Sequence, residues 1–351
     1  KKSNRSRANR LKRLGKIEFR RLTDPADLNI IFDKLIAFYD FRQGAVNSST
    51  SFRDDPDKRS FHRELLANGK SGAYITATFL NGEPIAAFWG AESGDAVHLG
   101  MLFYSPFLAE HSPGKLHIME LSEQLLLDNK TVLDLTPGGD DWKERFANAH
   151  DEVAEVVLYP SALARQRADA MNLILQLGRR CASAAGVSPT QLKTFAAKLQ
   201  RIRVSSVVRK VRKLGSWVTA DREFRVYRAT RNLAVMQQHD ERVRRNCLSD
   251  LLSCEAGESW QTRDAFLSSA LSRIEGGSIA YTVDIDGRLA HVGWMAYGTK
   301  SYMTEVGQSM TFPPGSVALY DFYSHPDFRG RGLYRSTISH MLLDVFANEA
   351  N

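Results

Sequence analysis

Cysteine is scarce: only Cys181, Cys247 and Cys254 occur in 351 residues, too few for a disulfide framework. Cys247 and Cys254, if helical, stand about two turns apart, beyond bridging distance. They read as reduced bystanders. No apolar run reaches the roughly 18 residues that a membrane span needs, and no segment has the layout of a secretory signal. A cytoplasmic protein is expected. Metal-ligand spacing is missing too: His117 and Glu120 fall three apart on one predicted helix without further partners, and no metal is predicted.

Negative charge is locally scarce. Residues 1–21 hold ten Lys/Arg against one Glu, and residues 161–215 hold twelve against one Asp. The whole chain carries only +7, so the remainder must be acidic. Two basic stretches beside two acidic bodies fit solvated helices. They equally fit surfaces for RNA, for cofactor phosphates, or for an anionic membrane at its inner face. With 43% hydrophobic and 25% charged residues, the composition is that of ordinary globular protein, and the length favours about two domains.

The pattern along the chain repeats. Lys16 to Leu22 alternates as a strand, and Asp24-Pro25 opens a helix with Leu28, Ile31, Phe32, Leu35, Ile36 and Tyr39 on one side. Residues 44–57 read as a loop, and a second helix follows to about Ala67. Ala73 to Phe79 runs into the Asn81-Gly82 turn and returns through Trp89, a hairpin signal. A strand near Val97 to Tyr104, a helix opened by Ser112-Pro113-Gly114-Lys115, and a short strand at Thr131 to Leu135 complete the series. From Glu223 the order begins again: a strand to Ala229, helices over about 231–252 and 262–274, a hairpin about Asp286-Gly287, and a strand at Ala318 to Tyr323. The turn glycines Gly82 and Gly287 and the tryptophans Trp89 and Trp294 recur at one common offset, so an internal duplication is inferred.

The densest chemistry lies at Asp321-Phe322-Tyr323-Ser324-His325-Pro326-Asp327-Phe328-Arg329-Gly330-Arg331-Gly332-Leu333-Tyr334. A strand enters an Arg/Gly loop, and Leu333, Ile338, Leu342, Val345 and Phe346 then follow at helical spacing. Glycines let backbone N–H groups approach an anion, the helix start adds partial positive charge, and Arg329 and Arg331 add ionic contacts. A pyrophosphate fits such a cradle.

This loop resembles motif A of the GNAT acyltransferases, R-x-x-G-x-G/A, with Arg329, Gly332 and Tyr334 at its first, fourth and sixth positions. Tyr334 departs from the usual small residue. The first half lacks the RGRG run. Its Tyr74, Phe103-Tyr104, Ser112 to Lys115, Leu133-Asp134-Leu135 and Gly139 to Lys143 resemble the acetyltransferase domain of CelD-like cellulose-biosynthesis proteins, which also implies a closing strand at Val153 to Tyr159. That domain is in turn similar to those of the Fem peptidyltransferases, which use aminoacyl-tRNA.

The resemblance implies an α/β fold with mixed sheets: two tandem GNAT-like domains at 1–160 and 216–351 joined by a basic helical linker at 161–215, the second domain ending before its later strands. It implies acetyl-CoA or another acyl-CoA as co-substrate, transferred to an amine or hydroxyl of a small molecule, glycan or peptide, with a sugar or cell-envelope precursor as one class. Phe322, Tyr323, Arg329, Gly330, Arg331, Gly332, Leu333 and Tyr334 would hold the coenzyme. Asp321 would serve as general base and Tyr323 as acid, unless Asp321 merely caps or pairs with an arginine. Tyr104, Ser112, Gly114, Lys115, Asp134, Asp141 and Lys143 would form an acceptor pocket or a weaker second site, unless the first domain is a degenerate partner. His325 is expected in the loop, and Glu305 on the acceptor side. A tRNA-dependent peptidyltransferase and a noncatalytic acyl-CoA-binding module stand as alternatives.

Overall fold

The computed structural model describes residues 2–67, 72–138, 141–154, 156–163, 165–170, 173, 240–255, 260–298, 300–303 and 308–348. The expected strand at Glu223 to Ala229, most of the basic stretch 161–215, Cys181 and Glu305 lie outside these residues. The chain divides into two compact units, one formed by residues 1–145 with 228–351, the other by 146–227.

In the first half, α1 (Lys2–Lys12) leads into β1 (Ile17–Arg21), followed by α2 (Pro25–Asn47), α3 (Ser51–Asp54) and α4 (Pro56–Ala67). Asp24 caps α2, its carboxylate accepting from the N–H of Ala26, with Pro25 in the first turn where its missing N–H costs nothing. Then come β2 (Ala73–Leu80), β3 (Glu83–Ser93), β4 (Ala96–Tyr104), a 3₁₀ turn at Pro106–His111, α5 (Pro113–Leu127), β5 (Val132–Asp134) and α6 (Asp141–Glu144). The five strands lie in the order β1-β2-β3-β4-β5, antiparallel except that β4 and β5 run parallel. That parallel pairing is confined to Ala96–His98 against Val132–Asp134. Beyond it β4 continues to Tyr104 paired with β3 only, so the sheet opens on the β5 side.

The second half holds β6 (Arg244–Arg245), α7 (Leu248–Leu252), α8 (Arg263–Glu275), β7 (Ile279–Ile285), β8 (Arg288–Tyr297), a separate hairpin of β9 (Lys300–Met303) and β10 (Gln308–Thr311), β11 (Val317–Ser324), a 3₁₀ turn at Pro326–Phe328, and α9 (Leu333–Asn348). Its main sheet runs β11-β8-β7-β6, antiparallel throughout. Both hairpins turn on residues with positive φ, Asn81 (53°) with Gly82 (84°) and Asp286 (54°) with Gly287 (74°), the geometry that an Asn-Gly or Asp-Gly turn supplies.

One core joins the halves. Phe32, Phe41, Trp89 and Phe103 of the first pack in the same buried cluster as Phe266, Leu267, Trp294 and Tyr320 of the second. Helices α2 and α8 meet closely at Gly44, where a Cβ would come 2.7 Å from Leu267 Cδ1. The opposite face of the second sheet buries Tyr281, Val283 and Met295 under Leu333, Met341 and Val345 of α9.

Three expectations are corrected. Of the helix expected over 231–252, the described part begins only at Leu248, because Arg244 and Arg245 pair with Thr282 and Tyr281 as an edge strand. Val153 to Tyr159 forms no strand among its described residues: Val153, Val156 and Leu158 are exposed, with no ladder to satisfy their backbone. The loop expected over 44–57 is mostly helical: α2 extends to Asn47, and α3 is anchored by Asp40, whose buried carboxylate accepts the N–H groups of Phe52 and Arg53.

Candidate functional site

The site begins at an irregularity in β11. Tyr320 pairs with Trp294 and Tyr323 with Val292, so Asp321 and Phe322 together face Gly293 alone. Asp321 has φ 48°, a left-handed conformation that Asp tolerates better than most residues. The bulge resets the alternation. Ala318, Tyr320 and Tyr323 face the shared core, whereas Val317, Leu319 and Phe322 pack towards α9. Gly293 makes room for this, since a Cβ there would sit 2.5 Å from the Phe322 ring.

The carboxylate of Asp321 pairs with the guanidinium of Arg273 in the last turn of α8. Arg273 also lies over the rings of Trp294, 5.0 Å away, and Tyr320, 5.5 Å away. Tyr323 stacks on Trp260 at 4.0 Å with 10° between the planes. The arginine pairing named from sequence as the competing role of Asp321 is therefore present, and Arg273 and Trp260 are site residues that the sequence did not single out.

After β11, the buried His325 accepts from the N–H of Asp327 and contacts Arg288, which also bonds Asp327. These contacts fix the entry to the loop. Gly330 (φ 75°) and Gly332 (φ 76°) then turn through left-handed backbone, and a Cβ at either would meet nothing within 4 Å. Open space on that side is what a bound anion requires. Arg329 donates through Nε to the carbonyl of Ser324 at 3.2 Å, while Arg331 lies over the Phe328 ring at 5.1 Å. Both arginines are exposed. The first amides of α9 have no intrahelical acceptors by geometry, and they converge at the same end. Leu333 is buried in the core, so it anchors the helix. Tyr334 is exposed and turns its ring against Phe322 at 4.9 Å. Among the described strands β11 pairs on one side only, with β8, leaving an edge beside the loop.

The equivalent position of the first half is filled. Ser112 is left-handed (φ 51°) and opens α5, but Gly114 is buried against Tyr104, whose ring would lie 2.9 Å from a Cβ there. Arg42 lies over the other part of that arrangement, 4.7 Å from the Tyr104 ring centroid, and pairs with Glu275 of α8 at 3.2 Å. Lys115 is half-buried, its N–H donating to the Ser112 carbonyl. Asp134 accepts from the N–H of Thr136 at 2.7 Å and lies 2.9 Å from His98 Nδ1; that bond and the Thr136 amide hold its carboxyl below the usual range. Lys143 donates to the carbonyls of Thr136 and Pro137. Asp134 and Lys143 thus meet about Thr136, where β4 and β5 part, and Asp141 begins the short α6 beside them in sequence. Tyr104 with Gly114, and Asp134 and Lys143 each with Thr136, are the contacts seen among these residues. No group of three His, Cys, Asp or Glu suited to a metal occurs among the described residues, and none of their helices is long and apolar enough to cross a membrane.

Residues 1–144 match the family model described as an acetyltransferase (GNAT) domain. Among solved structures, an aminoglycoside acetyltransferase from an uncultured soil metagenomic sample, in complex with trehalose, is 16% identical, over 41% of this chain and 97% of its own, at a TM-score of 0.32. PaiA N-acetyltransferase from Thermoplasma acidophilum, in complex with coenzyme A, is 13% identical over 33% and 75%, at 0.26. A tandem GNAT protein from the clavulanic acid biosynthesis pathway is 14% identical over 95% and 87%, at 0.27. These scores are low, and the chemistry of the site stands on its own geometry. No curated protein matches the chain.

Proposed function

We propose that the chain is an acyl-CoA-dependent acyltransferase, most simply an acetyltransferase, acting on an amine or hydroxyl. The observation that carries this is the loop Arg329 to Gly332: two left-handed glycines open to solvent, two exposed arginines, and a helix start, all following a bulged edge strand. The GNAT match of residues 1–144 supports the same class. Backbone amides at Gly330, Gly332 and Leu333, with Arg329 and Arg331, would grip the pyrophosphate of the co-substrate. The edge of β11 at Phe322 and Tyr323, which pairs with no further described strand, would lie along its pantetheine arm.

Transfer requires that the acceptor lose a proton, that the carbonyl oxygen be stabilised and that the departing thiolate be protonated. We assign the first role to Asp321, directly or through water, and the last to Tyr323. The acceptor class suggested by the resemblance of residues 1–160 is a sugar or cell-envelope precursor. The boundaries 1–160, 161–215 and 216–351 are kept as the proposed domains, with the first serving the acceptor side or structure, since Tyr104 fills its loop.

A second reading is favoured by one observation: Asp321 is engaged by Arg273 and Tyr323 by Trp260, as befits a module that binds acyl-CoA without consuming it. Calorimetric titration with acetyl-CoA, followed by release of free thiol over a panel of amines and sugars, separates the two. Binding with thiol release supports the enzyme. Binding alone supports the module, and no binding removes both.

A further inference from the structure

At the seam between the halves, Arg53 of α3 lies near Arg263 of α8: burial first, and then the charge of Arg263, hold the Arg53 guanidinium below its usual pKa. Arg53 reaches Ser253 Oγ at 3.5 Å, and Arg263 reaches Asp54 Oδ1 through Nη1 at 3.3 Å. Asp54 is shared further, accepting from the Thr50 hydroxyl at 2.6 Å and the Thr50 N–H at 3.3 Å. Asp284 and Asp40 are further carboxylates whose charge reaches Arg53; Asp40 spends its oxygens on the amides of Phe52 and Arg53, and Asp284 accepts the N–H of Gly287.

The donors of Arg263 are left half used. Its Nε and Nη2 are buried and have no hydrogen-bond partner. These two atoms form the side-on edge of the guanidinium, the fork that matches two oxygens of a carboxylate or phosphate. A buried cationic donor without an acceptor is costly to keep, and the side chain retains 16% exposure at the seam. Trp260, three residues earlier in the chain, is the residue stacked on Tyr323 of β11.

We infer that Arg263, with Arg53 beside it, is a recognition site for an oxyanion, a carboxylate or phosphate carried by the acceptor. The acceptor would then be an acidic amine or hydroxyl compound, such as an amino acid or a sugar phosphate, rather than a neutral or polycationic one. This rests on the acyltransferase reading for the word acceptor, but not for the anion site itself.

The test uses the full chain bearing Arg329→Ala, so that the coenzyme loop contributes little. Inorganic phosphate and acetate are titrated separately while thermal unfolding is followed. A rise in midpoint with either, lost when Arg263→Met is added and reduced when Arg53→Met is added, is the expected result; which anion acts tells phosphate from carboxylate. No rise, or an equal rise with Arg263→Met, overturns the proposal. If Arg263→Met does not fold, the Arg263 Nε resonance of the Arg329→Ala protein serves instead: it must shift with the anion, and a stationary signal overturns the site. With Arg329 intact, paired acceptors differing only in carboxylate against carboxamide are compared by kcat/KM. A preference of about 10-fold or more for the acid, abolished by Arg263→Gln while acetyl-CoA affinity is kept, is expected; equal rates for the pair overturn the acceptor assignment. Failure of acetyl-CoA to bind the wild-type chain would instead remove the acyltransferase reading and leave the anion titration standing.

Discussion

Arg273 holds Asp321 at the one place where β11 leaves its register. The pair is largely enclosed, with side-chain exposures of 13% and 19%, and the arginine is itself wedged over Trp294 and Tyr320. A left-handed residue with a charged side chain is thereby fixed from the core side, so the bulge has a defined shape before any ligand arrives. If Asp321 also takes the acceptor's proton, Asp321→Asn should lower turnover by about 100-fold or more and leave acetyl-CoA affinity within about twofold. Thiol release across pH, beside calorimetry, measures both. Unchanged turnover would remove Asp321 from the chemistry and leave it the task of shaping the bulge. Arg273→Met should destabilise the fold by about 3–5 kcal/mol, since it strands an enclosed carboxylate; urea unfolding measures this.

Arg329 is tethered through Nε to the Ser324 carbonyl, which leaves its other N–H donors for an anion at the loop. A charge-assisted hydrogen bond contributes about 1.5–3 kcal/mol, so Arg329→Ala should weaken acetyl-CoA binding by about 10- to 100-fold. Gly332→Val should weaken it too, because a β-branched residue resists φ near 76°. Calorimetry that finds both variants binding like wild type would remove the loop from the coenzyme site.

Gly114 tests the opposite claim for the first half. A side chain there must displace the Tyr104 ring from 2.9 Å, and overpacking of that kind costs about 1–3 kcal/mol. Gly114→Val should therefore lower the unfolding midpoint while acetyl-CoA affinity stays unchanged. A large loss of affinity without loss of stability would show that the first loop binds the donor after all.

Much of this was legible in the chain. Asn81-Gly82 and Asp286-Gly287 announced their hairpins because few other residue pairs accept two positive φ values in succession, and Trp89 and Trp294 do occupy the shared core. The open cradle about Gly330 and Gly332 was readable for the same reason of glycine chemistry. What the sequence hid was non-local or a matter of tertiary contact. Nothing near Asp321 announces a bulge, since a lone Asp in left-handed geometry has no flanking signature, and its partner Arg273 arrives from α8. The ring of Tyr104 closing on Gly114, and Arg42 reaching Glu275, depend on how α2, α8 and the 3₁₀ turn at Pro106–His111 pack. Val153 to Tyr159 shows the converse, a segment that the family resemblance marked as a strand and that found no described edge to join. The β9 and β10 hairpin escaped notice because its residues lack a strong alternation.

Two buried histidines set an acid limit on the fold. His117, enclosed on α5, has Thr76 Oγ1 3.0 Å from Nε2 and Thr78 Oγ1 2.7 Å from Nδ1, and burial pushes its imidazole from 6.5 down to about 3. His291 of β8 lies 2.7 Å from the Ser324 hydroxyl through Nδ1, and burial lowers it from 6.5 to about 4. In both, the folded chain resists the proton that the unfolded chain accepts readily. Their contribution is therefore fully present above pH 6.5 and shrinks as pH falls, levelling only below about 4 for His291 and about 3 for His117. The loss should amount to a few kcal/mol for each histidine, at roughly 1.4 kcal/mol for each unit of separation. Urea unfolding from pH 7 to 4 should show stability falling with acid, and His117→Gln, which keeps a polar partner for the threonines, should flatten that slope even if it is less stable at pH 7. A slope identical to wild type would mean that His117 is already reached by protons in the folded state, and the acid sensitivity would have to come from His291 or from carboxylates such as Asp134, whose lowered pKa acts with the same sign but further down the scale.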